Sequence, residues 1–474
     1  MRTQGKTLIK VLVVLAFAAL VVPGVRTSGG PAAKVAVDPG VRAGAPSAGG
    51  ALNNLTADET AFFQDGFTRF AEIEVVAGGT NNGLGPRFNS NQCLSCHSQP
   101  APGGTSPAEN PLIQVATLNG AKNDLPWFII PNGPIREARF KRNPNGTNDG
   151  SVHNLFVITG RSDATGCNIS QPNFLPAGNP VTGQGGNPNL AFRIPTPVFG
   201  AGLIEGISDS AILANMQANA SEKSELGISG HPNAILSGNV NLSANDGTIT
   251  RFGWKAQNKS LLMFAAEAYN VEMGISNQLF PQERDETPGC LFVASPNDTL
   301  NFTTTSSGAT NPAVISDIEA FANFMRMLAP PAPAPDTPST VSGRETFIKI
   351  GCAHCHTPSF TTGASIASGS SKVPSAALSN QKANLWSDLI VHHMGKGLAD
   401  GITQGSAGPD EFRTSPLWGL GQRVFFLHDG RTTNLVEAIE AHKSQGSEAD
   451  KVIDRFNHLK VPDKQHVLDF LRAL

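Results

Sequence analysis

The chain has 474 residues, a length that favours two or three domains over one. Charged residues make up only 15% of it, and its 49 Gly and 34 Pro residues indicate a loop-rich globular protein with modest helix content. The formal net charge of −3 excludes a strongly basic nucleic-acid surface, and six cysteines are too few for a disulfide-stapled scaffold.

The first 27 residues are typical of a secretory signal peptide. Arg2, Lys6 and Lys10 form a basic start before the apolar run 11–22, which is too short to span a bilayer comfortably. An uncleaved N-terminal anchor is the alternative. In both cases we expect the rest of the protein to lie in an oxidising space outside the cytoplasm, the periplasm, with no membrane contact after signal cleavage.

Two segments of biased composition predict the domain boundaries. Residues 28–55 are rich in Gly, Ala, Pro and Ser and predict a disordered linker. The Pro-rich residues 330–340 cannot form the interior of a helix. They therefore separate a predicted N-terminal domain, 56–329, from a predicted C-terminal domain, 341–474.

Segments on the two sides of the Pro-rich boundary resemble each other. Three pairs match: 66–70 with 343–347, 192–202 with 412–421, and 317–328 with 467–474. The last pair shares a Phe-x-Arg-x-Leu end and apolar residues at helical spacing. The matches predict two diverged copies of one module. Insertions between about 101 and 310 enlarge the first copy, where we expect long loops and few strands.

Each copy carries one Cys-x-x-Cys-His motif. Two thiols at this spacing can add to the two vinyl groups of one haem, while the adjacent His reaches the iron from the same face. A zinc site would need a further pair of ligands, and a thioredoxin-like redox pair does not explain a His at the same offset twice. The motifs predict two covalent haem c groups, attached at Cys93, Cys96, Cys352 and Cys355, with His97 and His356 as iron ligands.

The remaining cysteines, Cys167 and Cys290, predict a disulfide in an oxidising compartment, with two free buried thiols as the alternative.

The ligand at the second axial position of each haem iron decides the function. His442 shares one helical face with Leu435 and Ile439. Such a His is more often a core residue, but because a haem is expected nearby we predict His442 as the second ligand of the C-terminal haem iron.

Further segments resemble those of the di-haem oxidoreductase/putative peroxidase family, formerly called thiol oxidoreductases, in the bacterial di-haem cytochrome c peroxidase superfamily. The resemblance extends over most of the chain from about residue 58 to the end and implies a mainly α fold of two cytochrome c-type domains, with long loop insertions in the first. The matching segments are 83–89, 103–104, 199–205, 251–257, 272–275 and 427–431.

In the superfamily, the C-terminal haem relays electrons, and its distal ligand is usually a Met or Tyr fourteen residues after the His of a His-x-Gly element. Counted from His428, that position is His442, so this chain departs from the usual ligand. Ligation by His356 and His442 would give a low-spin haem of lower potential than a His/Met pair. Met394 is the competing ligand.

The resemblance also implies a peroxide site at the N-terminal haem. Superfamily members place a catalytic Glu on its distal face, and alignment of the two copies favours Glu205, with Glu267 and Glu272 as rivals. A carboxylate near a helix N-terminus is the structural alternative for Glu205. A Trp between the haems is implied as well, with Trp254 favoured over Trp418, although either could be a core aromatic. A calcium ion at the domain interface is typical, but no acidic loop here specifies one.

The sequence therefore predicts an exported di-haem c-type oxidoreductase that reduces hydrogen peroxide at the N-terminal haem. Electrons would come from a small periplasmic redox protein through the C-terminal haem. One alternative is a non-catalytic electron-transfer cytochrome, in which His153 or His231 would cap the first iron. Others are a haem oxidase that acts on a protein or organic substrate, and an interaction module with structural haems. The sixth ligand of the first iron and turnover with peroxide distinguish them.

Overall fold

The computed structural model describes residues 35–174, 189–234, 248–299, 315–369 and 373–474. The predicted signal peptide, 1–27, and the first part of the predicted linker lie outside the described residues. Within the described ranges, no helix combines the length and the apolar character that a membrane span requires.

Helices are the longest elements, and most of the remaining described chain forms loops and short strands. The helices of the described part are α1 (Ala57–Phe70), α2 (Cys93–Cys96), α3 (Leu112–Val115), α4 (Ala201–Glu205), α5 (Asp209–Gln217), α6 (Ala220–Leu226), α7 (Leu261–Met273), α8 (Asp317–Met327), α9 (Pro338–Ile350), α10 (Gly395–Leu398), α11 (Leu435–Glu440), α12 (Asp450–Asn457) and α13 (Val461–Ala473).

The strands are short and antiparallel. One three-stranded sheet, in the order β3-β2-β5, lies in the predicted insertion, and the other pairs are β1-β4, β6-β7 and β8-β9. In β8-β9, His393 lies opposite Glu411. The strands are β1 (Arg87–Phe88), β2 (Glu137–Phe140), β3 (Val152–His153), β4 (Phe156–Val157), β5 (Leu190–Arg193), β6 (Phe360–Thr361), β7 (Lys382–Ala383), β8 (Val391–His393) and β9 (Glu411–Arg413).

Capping residues explain where the main helices begin and end. Thr56 and Glu59 form a reciprocal capping box at the start of α1. The Ser260 side chain accepts a backbone hydrogen bond at the start of α7, and Gly274 ends that helix in the left-handed conformation. At α9, Thr337 caps the helix and Pro338 takes the first helical position, where its missing N–H costs nothing. The predicted Pro-rich linker, 330–340, therefore ends earlier than expected.

The predicted internal repeat has a structural counterpart in two helix pairs, α1 with α8 and α9 with α13. A glycine permits the close approach in each pair: a Cβ on Gly66 would lie 2.2 Å from the Ala320 backbone oxygen, and one on Gly343 would lie 1.9 Å from that of His466. Phenylalanine rings pack one turn further along, with Phe70 against Phe324 and Phe347 against Phe470. The same pairing of helices therefore occurs once on each side of the Pro-rich segment.

The two halves share part of their hydrophobic core. The core around α1, α7 and α8 also contains residues from beyond the Pro-rich segment, namely Phe360, Leu378, Ala383, Leu385, Leu389, Ile390 and Trp418. A second core surrounds α9 and α13. Residues 36–474 form one compact unit, so the division into two domains stays a prediction. The other unit, Met1–Val35, contains only one described residue.

The segment 36–55 differs from the predicted disordered linker. The Asp38 carboxylate pairs with Arg472 of α13 at 2.7 Å, and both side chains are buried. The backbone N–H of Arg42 donates to Gly421, and that of Leu52 donates to Met327. Gly, Ala and Ser have small side chains, which allow this backbone to pack closely against its neighbours. A composition that is typical of disordered linkers therefore permits close packing in this protein.

The predicted disulfide between Cys167 and Cys290 is confirmed, with 2.04 Å between the two sulfur atoms. It joins two parts of the predicted insertion, the segment after β4 and the segment after α7. The other four cysteines, all in the two Cys-x-x-Cys-His motifs, are free thiols in this structure.

Candidate functional site

The first Cys-x-x-Cys-His motif lies in the wall of a cavity. Cys93, Cys96 and His97 line it together with residues of α7 and α8, and the space free of atoms, including the mouth, is about 1250 Å³. That volume is ample for a cofactor. Among the described residues, no second histidine lines this cavity.

His97 has the orientation expected of an iron ligand. Its Nδ1 donates to the Gly104 carbonyl at 3.0 Å, which leaves Nε2 as the nitrogen with a free lone pair. Burial lowers the pKa of His97 to about 4, so the ring is neutral at physiological pH. A neutral, anchored imidazole is the form that binds a metal.

The first cavity contains three carboxyl groups, those of Glu137, Glu267 and Glu272. Asn89 Nδ2 donates to Glu272 Oε2 at 2.8 Å. Burial, together with the neighbouring Glu137 carboxyl, raises the pKa of Glu272 well above its usual range. A carboxyl group poised in this way can hold or release a proton near neutral pH, and such groups are common at active sites.

Glu205 does not reach the cavity. It is 2% exposed, and it lines neither this cavity nor the second one described below. Its Oε2 accepts a hydrogen bond from Arg326 Nε at 2.7 Å, and its Oε1 accepts from the backbone N–H of Leu261 at 2.9 Å. The geometry therefore gives Glu205 a structural role, because the buried guanidinium and the start of α7 bind this side chain; its catalytic role stays a prediction that these contacts do not support. The rivals Glu267 and Glu272 line the cavity instead.

Replacing Glu205 with Gln should destabilise the fold without changing the chemistry of the folded protein. It removes the counter-charge of Arg326, a buried guanidinium, and breaking such a pair costs about 3–5 kcal/mol. Denaturant unfolding measures the loss. Glu222→Gln, at a side chain that is 70% exposed, is the control and should change stability by less than ~0.5 kcal/mol. A stable variant without activity would return Glu205 to the list of catalytic residues.

The second motif lines a second cavity of about 1310 Å³ of space, again including the mouth. Cys352, Cys355 and His356 lie in its wall, together with His442 and Met394. The fold therefore brings these four predicted haem-site residues and Met394, the competing ligand, together around one space.

Two histidines of the second cavity have the same orientation as His97. His356 Nδ1 donates to the Trp386 carbonyl at 3.0 Å, and His442 Nδ1 donates to the Ala438 carbonyl at 2.8 Å. Burial lowers the pKa of both rings, that of His356 to about 4. Both Nε2 atoms are thereby left with a free lone pair in the same cavity, an arrangement suited to two axial ligands of one iron.

Two buried arginines, Arg413 and Arg423, also line the second cavity. Burial lowers the pKa of each to about 10, and Arg423 contributes to the shift of Arg413. Arg413 Nε donates to the Gly253 carbonyl at 3.1 Å, and neither guanidinium pairs with a carboxylate of the described residues. Two buried cations at a cavity favour an anionic ligand, and the propionates of a haem fit them. Sequence reasoning missed both arginines, although Arg413 occupies the repeated Phe-Arg position that Arg193 holds in the first copy.

Trp254 lines both cavities. Its Nε1 donates to the Ile194 carbonyl at 2.9 Å, and its ring lies 6.4 Å from that of His428. Trp418, the alternative, lines neither of these two cavities. The fold therefore puts the indole ring of Trp254 in the wall of both spaces, and its predicted role between two haems stays a prediction.

The alternative distal histidines lie elsewhere. His153 contacts Asp149 at 2.7 Å and His231 contacts Glu411 at 2.9 Å, and neither lines the first cavity. The predicted calcium ion stays a prediction, because no described carboxylate cluster specifies it.

A charged histidine lies beside the second motif. His392 Nε2 contacts Asp388 at 2.9 Å and its Nδ1 contacts Glu448 at 2.7 Å. Although burial opposes the charge, Cys355 and Asp388 raise the pKa of His392. The ring forms a fixed positive group in the wall of the second cavity.

A family model described as "Di-haem oxidoreductase, putative peroxidase" matches residues 186–474. No curated protein matches the chain.

Several solved structures are similar at low identity. The diheme peroxidase BthA from Burkholderia thailandensis is 14% identical, with a TM-score of 0.27, over 47% of this chain and 65% of that chain. A MauG-like protein associated with microbial copper homeostasis is 15% identical, with a TM-score of 0.27, over 65% of this chain and 95% of that one. Kuenenia stuttgartiensis hydrazine synthase is 18% identical, with a TM-score of 0.22, over 40% of this chain and 65% of that chain. This chain thus covers just under two thirds of BthA.

Proposed function

Because the chain belongs to the family of di-haem oxidoreductases described as putative peroxidases, we propose that it is an exported enzyme that reduces hydrogen peroxide at the first cavity. One peroxide, two electrons and two protons give two waters. A small periplasmic redox protein is the proposed electron donor. When bound, the two haems supply the redox chemistry, and the residues of the chain bind, orient and protonate.

Attachment of both haems is proposed to be covalent and of the c type. Cys93 and Cys96 would hold the first, and Cys352 and Cys355 the second, through thioether bonds. The free thiols in both cavity walls support this proposal. The disulfide between Cys167 and Cys290 supports export, because such bonds persist in oxidising compartments.

The proposal rests on one observation, which is that the two cavities differ in the histidine and carboxyl side chains that line them. The second offers two anchored imidazoles, His356 and His442, whereas the first offers one, His97, and several carboxyl groups. A site with an uncapped metal position and a nearby proton-transfer group is suited to peroxide, since O–O cleavage needs a proton moved between the two oxygens.

Glu272 is the proposed proton-transfer group. Its ionised carboxylate would take a proton from one peroxide oxygen and return it to the other, so that the O–O bond breaks with one oxygen leaving as water. The other oxygen would take up two protons and the two electrons that the haems supply, which gives the second water. Asn89 orients the carboxylate through Oε2. Glu137 keeps the affinity of Glu272 for the proton high.

Trp254 is proposed to lie on the electron path between the cavities. Trp254→Phe keeps an aromatic ring but removes the indole, and should slow peroxide turnover about tenfold, equivalent to ~1.4 kcal/mol in the barrier. Stopped-flow oxidation of the half-reduced enzyme measures the step. Trp418→Phe is the control, since Trp418 lines neither haem cavity. Equal rates in the two variants would remove Trp254 from the path.

An electron paramagnetic resonance spectrum of the haem-loaded protein tests the function. We expect a high-spin signal from the first iron and a low-spin bis-His signal from the second, and turnover with peroxide. Two low-spin signals that both persist on half-reduction would contradict the peroxidase and leave an electron carrier. Met273 or Met325, which also line the first cavity, would then be the sixth ligand.

A further inference from the structure

A buried acidic side chain lies beside the first Cys-x-x-Cys-His motif. Glu74, which follows α1, is 3% exposed. Its backbone N–H donates to the Asn91 carbonyl at 2.8 Å, and Asn91 stands two residues before Cys93. Glu74 lines neither haem cavity, and the peroxide chemistry proposed above leaves it without a role.

Glu74 differs from the neighbouring carboxylates in its partners. Asp317, the first residue of α8, pairs with Arg69 at 2.9 Å. Asp298 accepts hydrogen bonds from the first two backbone N–H groups of α8, at 2.9 and 3.1 Å. Glu74 pairs with no cation and no helix start among the described residues, and its side chain accepts from the Tyr269 hydroxyl, 3.2 Å from Oε1. Because a buried carboxylate without a counter-charge is costly, Glu74 is the member of this group that most readily takes a proton.

The charge on Glu74 acts on the wall of the first cavity. Burial raises the pKa of Glu74 to about 8, and the negative charge of Asp317 adds to the rise. Burial also raises the pKa of the Cys93 thiol, and the Glu74 carboxylate contributes to that rise. Glu74 therefore changes its charge near neutral pH, next to the first motif. The charged and titratable groups around it are Asp65, Arg69, Glu72, Cys93, Tyr269, Asp298 and Asp317.

Tyr269 connects Glu74 with solvent and with the first cavity. The Tyr269 side chain is buried and lines that cavity. Its hydroxyl lies 3.3 Å from Asp317 Oδ2, and the Asp317 side chain is 33% exposed. A hydroxyl both donates and accepts, so while its hydrogen is directed at Glu74 its oxygen can accept from a protonated Asp317. One hydroxyl thus separates the buried carboxyl from a carboxyl that exchanges protons with water.

We propose that Glu74 takes up one proton from solvent, through Asp317 and the Tyr269 hydroxyl, when one electron enters the first cavity. The added negative charge disfavours an ionised Glu74 in the same buried region. By reciprocity, a proton on Glu74 raises the affinity of the first cavity for the electron. The electron comes from the reduced donor and the proton from water, so the net charge of the region stays constant.

Glu74 touches neither peroxide nor the iron ligand His97, so it acts through charge alone. The inference rests on the proposed haem in the first cavity, but not on peroxide turnover. A reduction potential therefore tests it, independently of enzymatic activity.

Potentiometric titration of the haem-loaded protein, from about pH 6 to about pH 10, measures the coupling on both sides of the Glu74 titration. The high-spin resonance signal of the first iron reports its reduction. Because Glu272 also has a raised pKa in this cavity, the comparison uses Glu272→Gln as the parent protein. The affinity of this parent for the electron should fall by up to about tenfold per pH unit, one proton per electron. Adding Glu74→Gln should remove this dependence.

Two further variants separate the charge of Glu74 from its packing. Tyr269→Phe keeps the ring but removes the hydroxyl, whose hydrogen bond lowers the pKa of Glu74. The pH dependence should therefore persist and move to higher pH. Glu283→Gln is the matched control, at a buried carboxyl whose pKa burial raises to about 7, which accepts from Ser276 and lines neither cavity. It should leave the dependence unchanged.

Two results would overturn the role of Glu74. One is a potential of the first haem that stays constant with pH in the Glu272→Gln parent, and the other is the same dependence with and without Glu74→Gln. Either result, together with normal peroxide turnover of the unmodified protein, contradicts this inference alone. Absence of a haem from the first cavity contradicts the proposed function as well.

Discussion

Replacing Glu272 with Gln should lower kcat/KM for hydrogen peroxide by about 10²- to 10⁴-fold, the usual contribution of a positioned acid–base group. The amide keeps the volume and the contact with Asn89 but cannot accept a proton. Because the carboxyl is buried, the neutral amide should not reduce the free energy of unfolding. Steady-state turnover of the haem-loaded protein with a reduced donor measures the effect.

The pH dependence gives a second test of the same role. Glu272 must be ionised to accept a proton, and its pKa is raised above the usual range. The value of kcat/KM should therefore rise with pH along a limb that lies above the ordinary carboxyl range. Glu137→Gln removes a neighbouring negative charge, lowers the pKa of Glu272 and should move that limb to lower pH.

The rival carboxylate in the same cavity is the control. Glu267 accepts a hydrogen bond from Asn258, and Glu267→Gln should retain most of the turnover. If Glu267→Gln abolishes turnover and Glu272→Gln does not, the proton-transfer group is Glu267. If neither variant loses activity, the proposed chemistry of the first cavity is wrong.

Replacing His442 with Ala should abolish the low-spin bis-His signal of the second haem. The change removes one of the two imidazoles, His356 and His442, that hold Nδ1 on a backbone carbonyl in that cavity, and would leave the iron with one of its two proposed ligands. Electron paramagnetic resonance of the oxidised protein measures the loss. His442→Met should restore a six-coordinate iron with a higher reduction potential, because a Met/His pair raises the potential. Spectroelectrochemical titration detects that shift.

Two other side chains of the second cavity test whether the effect is specific. His428→Ala removes a ring that stacks on Phe412 at 4.2 Å, and Met394→Leu removes the competing ligand. Both variants should keep the bis-His signal. Loss of the low-spin signal in Met394→Leu, with the signal intact in His442→Ala, would assign the ligand to Met394.

Much of the candidate site could be predicted from the spacing of residues along the chain. Two cysteines and a histidine within five residues must face one space, so each motif identified residues that line one cavity. Helical spacing put His442 on one face with Leu435 and Ile439, and the family resemblance, counted from His428, pointed to the same residue; its role as a ligand stays a prediction. The pairing of Cys167 with Cys290 followed from elimination, since the other four cysteines belonged to the motifs.

The environment of Glu205 and of the segment 36–55 depends on long-range contacts, which local sequence patterns do not predict. Glu205 matched its expected place along the chain, but Arg326, 121 residues away, binds it. The segment 36–55 has the composition of a linker, yet Arg472 and the backbone of residue 421 hold it in place. Composition does not encode such partners, because they come from distant parts of the chain.

The sequence by itself determined which residues form the two Cys-x-x-Cys-His motifs and where the repeated helix pairs lie, because these depend on short, regular spacings. Only the tertiary structure decided that Glu137 and Glu272 share the first cavity, that Arg413 and Arg423 line the second, and that Trp254 borders both. Those groupings arise from the packing of loops around the helix pairs, and burial in that packing is also what shifts the pKa of Glu272.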